Sequence, residues 1–338
     1  MSRAVIIGAG HNGLMAGLLL ARAGRSVTIV EQRAVVGGLC AASEVHPGYT
    51  VPGLLHDTTG VRREIVDRLG LSRFGLEFES EAPSVLAAHS EHKGVVLHAE
   101  AKRSRDELEA LHPGDGDGYI AWRDFLSRIS GFVSGVLSQK PPLMKPDSIG
   151  ELWSMGKTGI GLRRLGKPDM LELMRVAPMC AADWLQESFG DPLPAAALAG
   201  PAAIGASLGP WSAGSAASLL LYECVRGAEV KGGPAALTES LQKAFEAAGG
   251  EIALESKAAR IRLDHGAACG VEMEGGDFIE AQSVVASCDP KRALLDLVEP
   301  GTLPLDVEEQ VASIRVRGST AKVNLALDGQ ISFRDREG

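Results

Sequence analysis

The sequence predicts an α/β fold: a parallel-sheet domain that begins at the N-terminus and is interrupted by a long inserted α+β region. Three observations predict it. An apolar strand, a glycine turn, an apolar helix and a second strand follow one another in AVIIGAGHNGLMAGLLLARAGRSVTIVE, residues 4–31. A proline-led helix and a returning strand recur in KGGPAALTESLQKAFEAAGGEIALES, from residue 231. Residues 76–226 between them carry short strands and then mostly helical patterns.

In the first segment, AVII reads as a buried strand ending in a sharp turn. Gly8 permits the turn, Gly10 lets backbone N–H groups approach a diphosphate, and Gly13 lets the helix pack against the strand. The helix is apolar all round, Gly24 ends it, and SVTIVE forms the second strand, closing on Glu31. An acid at that strand end accepts hydrogen bonds from a ribose diol and repels a 2′-phosphate, which disfavours NADP. Next comes QRAVVGGLC, with the small pair Gly37-Gly38, and then the irregular HPGYTVPG. An NAD-dependent dehydrogenase would instead continue with further parallel strands after residue 40.

In the inserted region, SVLAAH and GVVLHAE read as strands, and GYIAWRDFLSRISGFVSGVL and PDMLELMRVAPMCAADWLQESFG as helices, with Met174 and Met179 as packing residues. HPGDGDG, residues 112–118, reads as a helix-starting loop, because its run of acids stops too soon for a calcium site. Residues 192–222 carry no charge, but Gly and Pro interrupt the span and Ala, Gly and Ser dominate it. It reads as a broken pair of helices lining an apolar cavity rather than as a membrane span.

After residue 231, Pro234 opens a helix that buries Leu237, Leu241, Ala244, Phe245 and Ala248. A β-meander follows: ARIRLD, CGVEMEG and DFIEAQ, and then the apolar strand SVVASC running into Asp289-Pro290.

Composition excludes several function classes. A net charge of −9 and a pI near 5.5 argue against nucleic acid. The five cysteines are scattered, without CxxC or metal-like spacing, which suits a reducing compartment, and no basic-then-apolar leader is present; the expectation is a cytoplasmic protein. No Ser/His/Asp set, paired-carboxylate site or metal cluster is visible. Peripheral membrane contact remains open.

GAGHNGL, followed by E-x5-GG and HPGY, resembles the N-terminus of the phytoene desaturase-like FAD oxidoreductases, and within them the pyridine nucleotide-disulphide oxidoreductase domain 2 branch. The resemblance implies a Rossmann-like FAD-binding domain of the two-dinucleotide-binding flavoprotein type, at 1–75 and 227–300. It further implies an inserted α+β substrate domain, at 76–226 and 301–338. FAD is the implied cofactor. Its implied ligands are Gly8, Gly10, His11, Asn12, Gly13, Glu31, Gln32, Arg33, Gly37, Gly38, Lys257, Ala258 and Asp289. Lys257 and Ala258 match the strand that passes the adenosine half in the family, and VVASCDP matches the return to the dinucleotide domain. His56, in LLHDTTG, matches a family histidine near the flavin ring or the substrate entrance. Read from the residues alone, His56 and Asp57 cap a helix running from about Val61 to Leu69, and Arg33 is equally a solvated loop charge.

The activity implied is hydride transfer from an apolar small molecule to flavin. STAKVNLALDG resembles a family strand leading into the second half of the substrate domain. Relatives continue beyond it, through a glycine-rich strand and helix under the flavin ring. The expectation is therefore a protein partner that supplies the remaining flavin-site portion; a truncated product, or a compact enzyme closing the site through an oligomer, are the alternatives. A non-catalytic nucleotide-binding assembly subunit is the rival reading.

Overall fold

A computed structural model of the chain describes residues 2–89, 94–140, 148–316, 318, 320–329, 331 and 333. Two compact units result: Met1–Glu79 with Glu229–Val316, and Ser80–Ala228 with Arg317–Gly338.

The first unit opens with β1 (Arg3–Ile7), α1 (His11–Arg22) and β2 (Ser26–Val30). Ala4, Val5 and Ile6 are fully buried, because β1 lies inside a parallel sheet covered on both faces. A Cβ at Gly13 would stand 2.0 Å from the Gly8 carbonyl oxygen, so only glycine brings the helix this close to the turn. Past β2 come an antiparallel pair, β3 (Ser43–His46) and β4 (Tyr49–Val51), and then α2 (Arg63–Leu69). Helix α2 starts two residues later than the sequence reading places it. Arg62 stands at its N-cap and makes no side-chain capping bond to the helix, and Asp57 accepts from the amide and hydroxyl of Thr59 in a tight turn instead.

The second unit holds the antiparallel pair β5 (Val85–Ala87) and β6 (Val95–Leu97) and seven helices among the described residues. These are α3 (Ala101–Leu111), α4 (Asp115–Leu137), α5 (Ile149–Arg164), α6 (Lys167–Val176), α7 (Ala181–Gln186), α8 (Pro192–Ala203) and α9 (Ser215–Val225). Its core gathers Trp122, Phe125, Ile129, Trp184, Leu185 and Leu219. Met179 packs against that core, whereas Met174 is exposed, since α6 turns Leu173 and Val176 inward and leaves Met174 outside. The uncharged 192–222 span is broken into α8 and α9, and no described helix is long and apolar enough to cross a membrane.

The chain returns to the first unit through α10 (Gly233–Ala247), whose fully buried Phe245 packs beneath α1. Gly17 permits that approach: a Cβ there would lie 3.0 Å from both Phe245 and Ile29. Strand β7 (Glu251–Ala253) joins the parallel sheet, β8 (Ala258–Asp264), β9 (Ala267–Met273) and β10 (Phe278–Glu280) form the meander, and β11 (Ser283–Ala286) pairs parallel to β1. The sheet order β11-β1-β2-β7 brings four strand C-termini to one edge. A π-turn at Arg292–Asp296 and α11 (Leu305–Ser313) follow. Because α11 packs on that π-turn, residues 301–316 belong to the first unit, and the boundary falls later than residue 300. Residues 320–329 show no strand, contrary to the expectation for STAKVNLALDG; Ser319 of that segment, and Gln330, Ser332 and 334–338 beyond it, lie outside the described residues.

Candidate dinucleotide site

A cleft of about 410 Å³ opens at the C-terminal edge of the parallel sheet, within the size range of cofactor sites. It is built by the segments that leave the four strands. After β1 the chain turns through Gly8 (φ +102°), whose N–H donates to the Val30 carbonyl at 2.8 Å. Gly10 then caps α1, whose first turn contains no acidic residue. Acids usually occupy that position, because it carries the positive end of the helix dipole. Leaving it free of them favours a phosphate ligand.

After β2, Glu31 lies 7% exposed and binds backbone with both oxygens. Its Oε2 accepts from Ala9 N at 2.9 Å, and its Oε1 from Arg33 N at 2.9 Å. Glu31 thus ties the glycine turn to the end of β2, a bracing role the sequence reading missed, and as a residue lining the cleft it retains acceptor capacity on both oxygens. The Gly37 N–H donates to the Ala9 carbonyl at 2.8 Å, so the glycine pair runs directly beside the turn. A Cβ on Gly38 would press on the Gly10 Cα at 3.1 Å. The Arg33 guanidinium closes this side by donating to the Gly38 carbonyl at 3.1 Å.

After β7, the Ser256 N–H donates to the Glu31 carbonyl at 2.7 Å, which brings Ser256, Lys257 and Ala258 to the rim. After β11, Ser287 donates its N–H to the Ile7 carbonyl and faces the turn, with Cys288 and Arg292 beside it. Ser287 and Arg292 were not anticipated. The available signal was the parallel pairing of SVVASC with the first strand, since ligands collect at the carboxyl ends of adjacent strands. Burial pushes the Cys288 thiol up, which keeps it protonated and inert.

Of the sequence-selected residues, Gly8, Gly10, His11, Asn12, Glu31, Gln32, Arg33, Gly38, Lys257 and Ala258 line the cleft. Gly13 and Gly37 support it from behind. Asp289 does not line it; its carboxylate caps the following turn by accepting from Lys291 N at 2.8 Å. His56 lies elsewhere in the same unit, exposed to solvent. Its charge is felt at Glu229, whose carboxyl is pushed up by burial and by Asp57 while His56 pulls it down. Among the described residues no group of His, Cys, Asp and Glu is arranged to hold a metal.

A glycine turn at a helix N-terminus, a buried acid at the neighbouring strand end and a second glycine pair crossing the turn define a dinucleotide-binding flavoprotein site. The chain belongs to the flavin containing amine oxidoreductase family, whose model matches residues 13–337. The residues present fit the family's FAD. The closely apposed Gly10 and Gly38 leave a cradle that a Cβ would fill, and the Arg33 guanidinium supplies positive charge beside it. Lys257 and Arg292 line the cleft while paired with Glu274 and Asp296, and Glu31 offers acceptors for a diol.

The chain is 25% identical to the rat pyridine nucleotide-disulfide oxidoreductase domain-containing protein 2, an alignment covering 98% of this chain and 61% of that one. It is 24% identical to a 4,4′-diapophytoene desaturase (4,4′-diapolycopene-forming) of Methylomonas sp., covering 96% and 61%. An oxidoreductase from Methanosarcina mazei shares the fold, with a TM-score of 0.58 and 14% identity over 93% of this chain and 65% of that one. This chain spans about three-fifths of the length of these curated relatives.

Proposed function

We propose that this chain grips the ADP half of FAD in an oxidoreductase that removes hydride from an apolar small molecule, with a second polypeptide walling the ring end of the flavin. The observation that carries the reading is the braced glycine cradle: Gly8, Gly10 and Gly38 held together through Glu31 and the Gly37–Ala9 bond. When bound, the flavin supplies the hydride acceptor. The chain's own residues bind and orient it. The α1 N-terminus and Arg33 would hold the diphosphate, and Glu31 the adenosine ribose.

Two observations support the finer parts. The second unit contains a cavity of about 460 Å³ walled by Ala195, Ala196, Ala199, Phe189, Pro210 and Trp211, a lining suited to hydrocarbon, and the Methylomonas relative is named a desaturase. In residues 320–329, Val323, Leu325 and Leu327 alternate with smaller or polar residues, are largely exposed, and pair in no strand. That pattern suits addition to another chain's sheet.

The test is a visible absorption spectrum of the purified chain, alone and co-purified with the product of a neighbouring gene, read before and after denaturation. Flavin bands that appear only in the co-purified sample support the whole reading. Bands from the chain alone remove the second polypeptide from it. No bands in either sample, with no FAD affinity by calorimetry, overturn the FAD reading.

A further inference from the structure

We propose that the second unit carries a binding site for a small monocarboxylate, formed by Tyr119, Arg123 and Arg226 around a polar cavity of about 80 Å³. This site is separate from the dinucleotide cleft and does not depend on the FAD reading. The cavity is lined by these three residues together with Glu223 and His98, and Leu97 and Leu198 form apolar wall.

The argument is a count of donors and acceptors. The Glu223 side chain is 1% exposed, and both its oxygens are engaged: Oε1 accepts from Arg226 Nη1 at 2.9 Å and Oε2 from Arg123 Nη1 at 3.4 Å. His98 is already paired with Glu107 at 3.2 Å. Each guanidinium carries five N–H donors. Among the described residues, Glu223 occupies one on each arginine. Tyr119 is 3% exposed, its hydroxyl makes no hydrogen bond to any described residue, and it lines the same cavity as Arg226. The cavity therefore has a surplus of donors and a shortage of acceptors.

Charge points the same way. Among the arginines and carboxylates that line the cavity, two arginines face one carboxylate, which leaves one positive charge at its wall. The Glu107 carboxylate lies outside the lining, held by His98 and the Val96 N–H, and the Arg226 side chain is only 15% exposed. A cation is excluded by that sign, and a neutral polyol would leave the charge unmatched. A monoanion with two coplanar oxygens matches it and suits the planar guanidinium fork, with the Tyr119 hydroxyl as a further donor. The volume admits a group of a few heavy atoms, since a single water needs only roughly 10–15 Å³ of such space. Arg123 is one-third exposed and marks the side from which a solute enters. The ligand is either a free short acid or the carboxylate end of a longer molecule.

Isothermal titration of the full chain with sodium formate, acetate and octanoate, each against matched sodium chloride, tests the proposal. Saturable acetate binding is expected, weakened at least tenfold in Tyr119→Phe. That variant keeps the ring stacked against Trp122 (centroids 6.3 Å apart) and removes only the hydroxyl. Arg226→Lys, which keeps the charge beside Glu223 but loses the fork, is expected to weaken binding similarly, with circular dichroism confirming that both variants fold. Octanoate binding as well as acetate identifies a longer molecule, and octanoate exclusion identifies a free short acid. A cavity that holds only water gives no saturable binding to any of the three. That result, or acetate binding unchanged in both variants, overturns the proposal.

Discussion

Glu31 shows how much one side chain contributes at the residue scale. Sequence position alone marks it as a ribose ligand, yet its two oxygens also hold the glycine turn and the Arg33 amide in place. Replacing one oxygen with an amide NH₂, as in Glu31→Gln, sets a donor against a backbone N–H and leaves a buried group unpaired. The expected cost is about 1–3 kcal/mol, read as a lower urea midpoint with an unchanged slope. FAD affinity should fall together with stability, because the same bonds shape the cradle. A Glu31→Gln chain as stable as the parent would show that the brace contributes nothing.

At the scale of elements, the start of α8 depends on a residue far away in sequence. Asp115 is buried and its carboxylate accepts from Gly190 N at 2.7 Å and Asp191 N at 3.1 Å, just ahead of the helix. Asp115→Ala strands two amides, so a loss of at least about 2 kcal/mol is expected in chemical denaturation. Helix α9 offers a different handle. Burial, and then the neighbouring Glu223, push the Cys224 thiol up from 9.0 to about 12. A raised folded value means that the folded chain holds the proton longer than the unfolded chain. The stabilising contribution is therefore complete below pH 9 and is lost as pH rises toward 12. Cys224→Ala should flatten the alkaline loss of stability across that window, and Cys224 should resist iodoacetamide at pH 8 in the native chain.

These elements also show what could be read from sequence. The β1–α1–β2 unit, α10, the meander and the returning β11 were legible because apolar period, glycine turns and the N1 proline all agree locally. The second bond partners of Glu31, the reach of Asp115 to Gly190, and the placement of Ser287 and Arg292 at the cleft were not legible, because each depends on segments brought together only by the sheet order. The late start of α2 was missed because Asp57 bonds Thr59 in its own turn rather than an amide of the helix.

On the scale of the whole molecule, the two units have separate cores, and every tryptophan (122, 153, 184 and 211) falls in the second, while the dinucleotide cleft lies in the first. Indole fluorescence thus reports one unit alone, and far-ultraviolet circular dichroism reports both. If the cradle holds FAD in the native first unit and not in its unfolded form, even too weakly to survive purification without a partner, a hundredfold excess over Kd should add about 2.7 kcal/mol to that unit. For a unit of this size such a gain corresponds to a rise of roughly 5–10 °C in Tm. If each core melts as its own cooperative unit, FAD moves the part of the dichroism transition that belongs to the first unit and leaves the tryptophan transition where it was. Thermal scans with and without FAD, recorded by both probes on one sample, check this. A tryptophan transition that rises in step with the dichroism would mean that the two cores melt together, and an unmoved dichroism curve would mean that the cradle does not hold FAD.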